Sequence, residues 1–300
     1  MKLPVVHHPG YTIALPEAHP FPMAKFRVLR EHLDASPIHA SAQWLRPEPV
    51  SLAAVRRVHT AEYLDALLDG SLDRAAQRRS GFKWSEDLVL RVRLETGGTL
   101  MTVEAALDTG LACNTAGGTH HAHAGAASGY CLINDIAVAT AHARAEGWAQ
   151  RVLVVDLDVH QGDGTAGLFD REPDVFTFSM HAASNFPAHK GRSDLDIALR
   201  KGVSDEEYLQ ALASTLPGLL QTFRPDLVIY DAGVDVHRHD RLGHLALTDE
   251  GISRRDRYVF GCCREAGIPV AAVIGGGYDR DLDALASRHA RLHQAAVEYC

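Results

Sequence analysis

The chain has 300 residues, 46% of them hydrophobic and 23% charged, with 25 Gly and 13 Pro. That composition is globular and stands well away from the disordered, collagenous and membrane classes. A net charge of −8, a pI of about 6.1 and the lack of any Lys/Arg run argue against a nucleic-acid binder, which needs a basic stripe. Cys113, Cys131, Cys262, Cys263 and Cys300 form no CxxC pair and read as reduced thiols. Met1–Gly10 has no apolar stretch behind a basic start, and the longest apolar runs fall short of the ~20 residues that span a bilayer. A soluble, cytoplasmic protein is expected. The unusual count is 18 histidines.

In chain order, the first distinctive segment is 69–85, rich in arginine and poor in apolar residues, which predicts an exposed loop. Leu111–Asn114 is a short apolar run. Asp135–Glu146 is Ala-rich and helical in character. Val152–Leu157, Val175–Met180, Leu227–Tyr230 and Pro269–Ile274 are nearly continuous in apolar residues, as strands covered on both faces should be. Between them, Ser204 is placed to cap a helix that Pro225 ends, and Thr248 opens another that Gly267 closes. Alternating strands and helices predict a mostly parallel sheet with helices on both faces, a three-layer α/β/α architecture. No linker, charge block or repeat divides it, so residues 1–300 read as a single domain.

Four clusters bear chemistry. Val154–Val155 runs into Asp156, Asp158 and His160 before Gly162 and Gly164 break the strand. Open α/β sheets bind ligands outside the carboxyl ends of their strands. Asp158 and His160, two apart, point the same way on an extended segment, and carboxylate with imidazole suits zinc or iron. Leu227–Tyr230 leads to Asp231 and Asp235; Asp235 is the better third ligand because Gly233 lets the chain turn back. His237 and His239 then read as rim histidines. Gly117-Gly118-Thr119-His120-His121 offers adjacent histidines, more naturally an acid/base pair than two ligands. His123 reads as loop surface. Gly275-Gly276-Gly277-Tyr278 lacks the residues of a phosphate loop and instead brings a phenol donor to a crowded centre.

These words, with Ser128-Gly129-Tyr130-Cys131-Leu132-Ile133-Asn134-Asp135 and His59-Thr60-Ala61-Glu62-Tyr63, stand in the order they take in histone deacetylases. The chain resembles that family over almost its whole length, and Asp240–Gly243 with Gly251–Asp256 looks most like its class IV and related bacterial branch. The resemblance implies the arginase/deacetylase fold and removal of acetyl or longer acyl groups from acyl-lysine or a related amine. It implies zinc on Asp158, His160 and Asp235. His121 would be general base then acid and His120 its electrostatic neighbour, with Asp156 and Asp163 hydrogen-bonded to them. Tyr278 would polarise the scissile carbonyl. Gly129, Tyr130, Phe186 and Gly276 would wall the substrate channel. A structural potassium ion would use Asp156 and Ser179 with carbonyls of Asp158, His160 and Met180. For a substrate-gripping rim acid the chain offers Glu86 or Asp87.

Three rivals share parts of this pattern. Ureohydrolases need two manganese ions and further paired aspartates, whereas His237, His239 and Asp240 follow Asp235 here. An inactive acyl-lysine binding module would have lost a ligand, the base or the tyrosine, and all are present. An acetylpolyamine amidohydrolase would use the same chemistry on a small cation, and the acidic net charge does not choose between that and a peptide.

Overall fold

The computed structural model describes residues 2–300; Met1, the first residue of the expected 1–300 domain, lies outside the described residues. Eight strands form one sheet with every pairing parallel: β1 (Leu3–Val6), β2 (Ala42–Leu45), β3 (Leu111–Asn114), β4 (Val152–Asp156), β5 (Val175–Ala182), β6 (Leu195–Leu199), β7 (Leu227–Asp231) and β8 (Val270–Val273). The helices among the described residues are α1 (Lys25–Asp34), α2 (Ile38–Ser41), α3 (Leu52–Val55), α4 (Ala61–Asp69), α5 (Arg74–Ser80), α6 (Glu86–Thr109), α7 (Asp135–Ala145), α8 (Asp163–Phe169), α9 (Asp205–Phe223), α10 (Asp249–Ala266) and α11 (Leu282–Val297).

Alternate residues of the central strands enter opposite cores. Val152, Val154, Leu227, Ile229, Ala271 and Val273 cluster with α6 and α7 residues such as Val103 and Ile136. Leu153, Val155, Val228, Tyr230, Val270 and Ala272 cluster with Leu29 of α1, Leu216 of α9, Phe260 of α10 and Leu285 of α11. The period of two places one helical layer on each face, which is the expected three-layer arrangement. No helix of the structure is long and apolar enough to cross a membrane.

Strand order positions the chemistry. The sheet runs β2-β1-β3-β8-β7-β4-β5-β6, so the chain leaves β3 for β4 and fills the two places between them later. The four strands that carry the sequence clusters are therefore adjacent at the centre. Their carboxyl ends open onto one crevice.

Some expectations need correction. β1, β2 and β6 lie outside the apolar runs of the sequence; β1 contains Pro4, and β6 alternates half-buried and exposed residues along the sheet edge. Segment 69–85 is not an open loop. Asp73 caps α5 by accepting from Ala76 N, Gly81 ends it with φ +76°, and Ser80 and Phe82 are buried. Ser204 sits at the cap of α9, but its hydroxyl makes no capping bond. Asp205 instead accepts from Thr248 N at 2.8 Å and Thr248 Oγ1 at 2.6 Å, tying α9 to α10.

Several histidines serve the core, not the site. His293 in α11 is fully buried, its Nε2 has no hydrogen-bond partner, and burial lowers its pKa to about 4. In the unfolded chain it titrates near 6.5. Above that pH both states are neutral and nothing is lost. As pH falls from about 6.5 to about 4 only the unfolded state gains the proton, so stability falls across that window and levels off below it. His293→Gln should remove about 3 kcal/mol of this acid dependence. Urea unfolding of both proteins at pH 7 and pH 4.5 measures it, and parallel losses would refute it.

Candidate active site

Beyond β4 the chain turns. Asp158 Oδ1 accepts from His160 N at 2.8 Å and lies 3.0 Å from His160 Nδ1. The two side chains thus converge through a side-chain-capped turn, not through the extended alternation expected of a strand. Asp235 reaches the same point from β7: its Oδ2 is 3.1 Å from His160 Nδ1, and its Oδ1 accepts from Val159 N at 2.9 Å. One donor atom from each of Asp158, His160 and Asp235 lies within 4.8 Å of the others. Gly233 does not turn the chain through a positive φ. It leaves room, since a Cβ there would collide with the Asp158 carboxylate.

This ligand set fits a cation. Burial would push His160 down, but its hydrogen bonds and charge contacts with Asp158 and Asp235 outweigh that and raise it to about 10. Burial, then the Asp158 charge, raises Asp235 to about 7. Two carboxylates held together out of water need a positive centre between them, and a proton on His160 fills that need in the protein alone. A Cβ at Gly276 would enter both carboxylates, so only glycine keeps the space clear.

The tandem histidines sit on one wall, ring centroids 4.2 Å apart. His120 Nδ1 meets Asp156 Oδ2 at 2.8 Å, and His121 Nδ1 meets Asp163 Oδ1 at 2.6 Å. Burial would lower His120, but the charges of Asp156 and Asp158 outweigh it and hold its pKa well above the usual imidazole range. Burial first, then the His120 charge, pushes His121 down to about 3. One ring is therefore a resident cation and its neighbour a neutral base. His123 is not idle loop surface: its Nε2 is 3.3 Å from Asp163 Oδ2, so Asp163 steadies two histidines.

Asp231, weighed in the sequence as a possible ligand, pairs across the sheet with Asp156 and lies 3.7 Å from His120 Nδ1. Neither of its oxygens has a hydrogen-bond partner, and burial with the Asp156 charge keeps it well above the usual carboxylate range. His120, Asp156 and Asp231 form a second cluster with cation-binding donors. Of the two clusters, only the first opens to the cavity described below, through His160. Ser179 stands opposite Asp156 in the β4–β5 register with Met180 next to it, and Ser179 Oγ shares a 3.0 Å hydrogen bond with His181 Nδ1.

The Gly-Gly-Gly-Tyr turn after β8 is pinned at both ends. Gly276 N donates to Asp158 Oδ2 at 2.7 Å, and Tyr278 N donates to Asp240 Oδ2 at 2.7 Å. Burial, then the Asp235 charge, holds the Tyr278 phenol well above its usual pKa, so it keeps its proton and acts as a donor. Buried cations brace the turns. Lys25 Nζ donates to Gly275 O at 3.1 Å, and Arg255 Nη1 and Nη2 donate to Gly233 O at 2.6 Å and Ala232 O at 3.0 Å. Composition and motif spacing gave no sign of either.

His121, His160 and Tyr278 share the floor of a cavity of about 520 Å³, with Gly129, Tyr130 and Phe186 in its wall. Gly129 (φ +52°) and Tyr130 (φ +66°) are both left-handed, and a Cβ on Gly129 would press on the His121 ring. Phe186 stands edge-on to His121 at 4.8 Å. His237 and His239 are not at this rim: His237 is buried, 3.6 Å from Asp249, and neither lines the cavity. Glu86 and Asp87 are exposed at the start of α6 and do not line it either. A larger hollow, about 1240 Å³, lies by Pro225 and Pro269 at the opposite ends of the strands and holds none of these groups.

A parallel α/β sheet that gathers a carboxylate–imidazole ligand set, a charged and a neutral histidine and a protonated phenol around one cavity floor has the parts of a hydrolase centre. Residues 19–295 match the family model described as Histone deacetylase domain, and the chain belongs to the histone deacetylase family. A protein of Picosynechococcus sp. described as uncharacterized is 51% identical over 99% of both chains. Histone deacetylase 2 of Arabidopsis thaliana is 28% identical over 92% of this chain and 75% of its own length. A probable deacetylase of Methanothermobacter thermautotrophicus is 29% identical over 92% of this chain and 85% of its own. The solved HDA15 HD domain superposes with a TM-score of 0.83 at 24% identity, covering 97% of this chain and 90% of that one, which speaks for the fold. The protein is accordingly a deacetylase-type hydrolase, of a family generally dependent on metal and acting on acylated substrates.

Proposed function

We propose that residues 1–300 act as one catalytic domain, a zinc-dependent deacylase that removes acetyl or longer acyl groups from the amide nitrogen of acyl-lysine or a related amine. The carrying observation is the shared cavity floor: His121, His160 and Tyr278 meet there, over the buried Asp158–His160–Asp235 set. Those three residues would hold the zinc, which when bound supplies Lewis acidity to the scissile carbonyl and the attacking water. His121, with Nδ1 donating to Asp163, presents a basic Nε2 that takes the water's proton and returns it to the departing amine. His120, held by Asp156, contributes fixed positive charge beside it. Tyr278 donates its hydroxyl proton in a hydrogen bond to the carbonyl oxygen as that oxygen gains charge. Gly129, Tyr130 and Phe186 would enclose the acyl-bearing stem, whereas Gly276, expected in the same wall, lies deeper against the Asp158 and Asp235 carboxylates and does not line the cavity. Beneath, a potassium ion would use Asp156 and Ser179 with the carbonyls of Asp158, His160 and Met180, as a structural ion.

Metal analysis of the zinc-reconstituted protein is expected to find one transition-metal ion per chain, lost in Asp235→Ala. Two such ions, or none, would overturn the ligand set. Activity is read with acetyl-, octanoyl- and myristoyl-lysine peptides and acetylpolyamines, and hydrolysis of none of them by the zinc-loaded protein would end the deacylase reading.

A further inference from the structure

The mouth of the cavity has a sign of charge opposite to that of the whole protein. Net charge is −8, yet the side chains lining the cavity include Arg78 and Arg79 and no Asp or Glu. Both arginines are exposed in the last turn of α5, and among the described residues neither forms an ion pair or a side-chain hydrogen bond. Most arginines elsewhere are paired: Arg56 with Asp65, Arg144 with Glu172 and Arg257 with Glu298, among others. Arg241, next in sequence to the lining residue Leu242, is exposed and likewise forms no ion pair or side-chain hydrogen bond among the described residues; it does not itself line the cavity. Its backbone N donates to Tyr278 O at 3.2 Å, and its charge acts on the Tyr130 phenol.

The arginine-bearing turn is built into the wall. A Cβ on Gly81 would press on the Tyr130 ring at 2.6 Å, His19 Nε2 bonds Gly81 O at 3.0 Å, and Phe82 packs edge-on to Tyr130 at 5.7 Å. Buried Ser80 donates to Gln77 O at 2.7 Å and fixes the end of α5. The guanidinium groups can move, but the backbone that carries them is held against the channel.

We infer that Arg78, Arg79 and Arg241 select substrates that carry a carboxylate on the amine half, at the distance of a lysine α-carbon from the scissile amide. This rests on the deacylase reading. With the amide at the floor, the four-carbon stem of lysine fills the channel and its α-carbon emerges at the mouth. In the interior of a peptide the α-carbon bears only neutral amides. In a C-terminal or free acyl-lysine it bears a carboxylate, which guanidinium groups recognise in bidentate fashion. Acidic neighbours of an internal acyl-lysine would offer the same group from farther out. A polyamine brings a cation into a cationic mouth, and an aperture lined by one sign of charge focuses its field on the incoming ligand.

The test compares an acetyl-lysine peptide ending in a free carboxylate with its C-terminal amide, an internal acetyl-lysine flanked by Asp or by Ser, and acetylputrescine. The free carboxylate should have a KM about two- to five-fold below its amide, as exposed charge pairs allow. The Asp-flanked peptide should fall between, and acetylputrescine should be poorest. The difference lies in KM and not kcat, because the charge is remote from the reacting carbonyl. It should shrink as salt is raised, approach one-fold in R78Q/R79Q and fall to or below one-fold in R78E/R79E. Direct binding of the same pair to zinc-loaded Tyr278→Phe separates the two readings. A carboxylate preference in binding with no hydrolysis by the unmodified enzyme refutes the deacylase and leaves the rim assignment standing. Equal binding and equal KM for acid and amide overturn the rim assignment while the deacylase stands.

Discussion

Tyr278→Phe is expected to lower kcat by about 10²- to 10³-fold, the effect of removing one preorganised oxyanion donor. Metal content and the unfolding midpoint should stay at their wild-type values. The substitution deletes one hydroxyl and leaves the ring, which packs 5.9 Å from Tyr130 and 6.2 Å from His160. The turn bearing it is fixed by its backbone, through Gly276 N on Asp158 and Tyr278 N on Asp240, so ring placement does not depend on the phenol. The donor is present at every working pH because burial and the Asp235 and Asp158 charges disfavour the phenolate. KM should change little, since the hydroxyl acts mainly on charge that develops during reaction. Full kcat in the variant, with metal bound, would remove Tyr278 from the catalytic set.

The parts of this centre that were legible in the sequence are those spelled out locally. β3, β4, β7 and β8 each end in a short polar word, and continuous apolar runs identified the strands because both faces are covered. The tandem histidines and the Gly-Gly-Gly-Tyr turn could be recognised without knowing which strands are neighbours. What brings them together is strand order, a long-range property. The bracing contacts were hidden for the same reason. Lys25 meets Gly275 across 250 residues, and Arg255 meets Leu157 O across 98. Asp240 read only as part of a family word, yet it accepts from Tyr278 N and from the Leu242 and Gly243 amides. α5 is illegible in the sequence because a seven-residue helix with three arginines and one buried alanine has too short an apolar face to show a period. The histidine count misled in part, since His59, His289 and His293 are buried neutral rings outside the site.

Charge explains why adjacent histidines can take different roles. Asp156 and Asp158 hold His120 as a cation, and that cation, added to burial, holds His121 neutral. His121→Ala should therefore lower kcat by about 10²- to 10⁴-fold, the usual contribution of a positioned base, with metal retained. Its acidic limb should flatten, because activity in the wild type rises with pH as the base loses its proton. His120→Ala acts by a different route. It leaves His121 and its Asp163 bond in place but removes the neighbouring positive charge, so the His121 pKa rises and the acidic limb moves to higher pH. Were both histidines metal ligands, each alanine variant would lose metal and neither would shift a limb. Metal content and kcat/KM–pH curves for the two variants, measured side by side, distinguish these outcomes. Stoichiometric loss of metal from His121→Ala would mean that the ligand set extends beyond Asp158, His160 and Asp235.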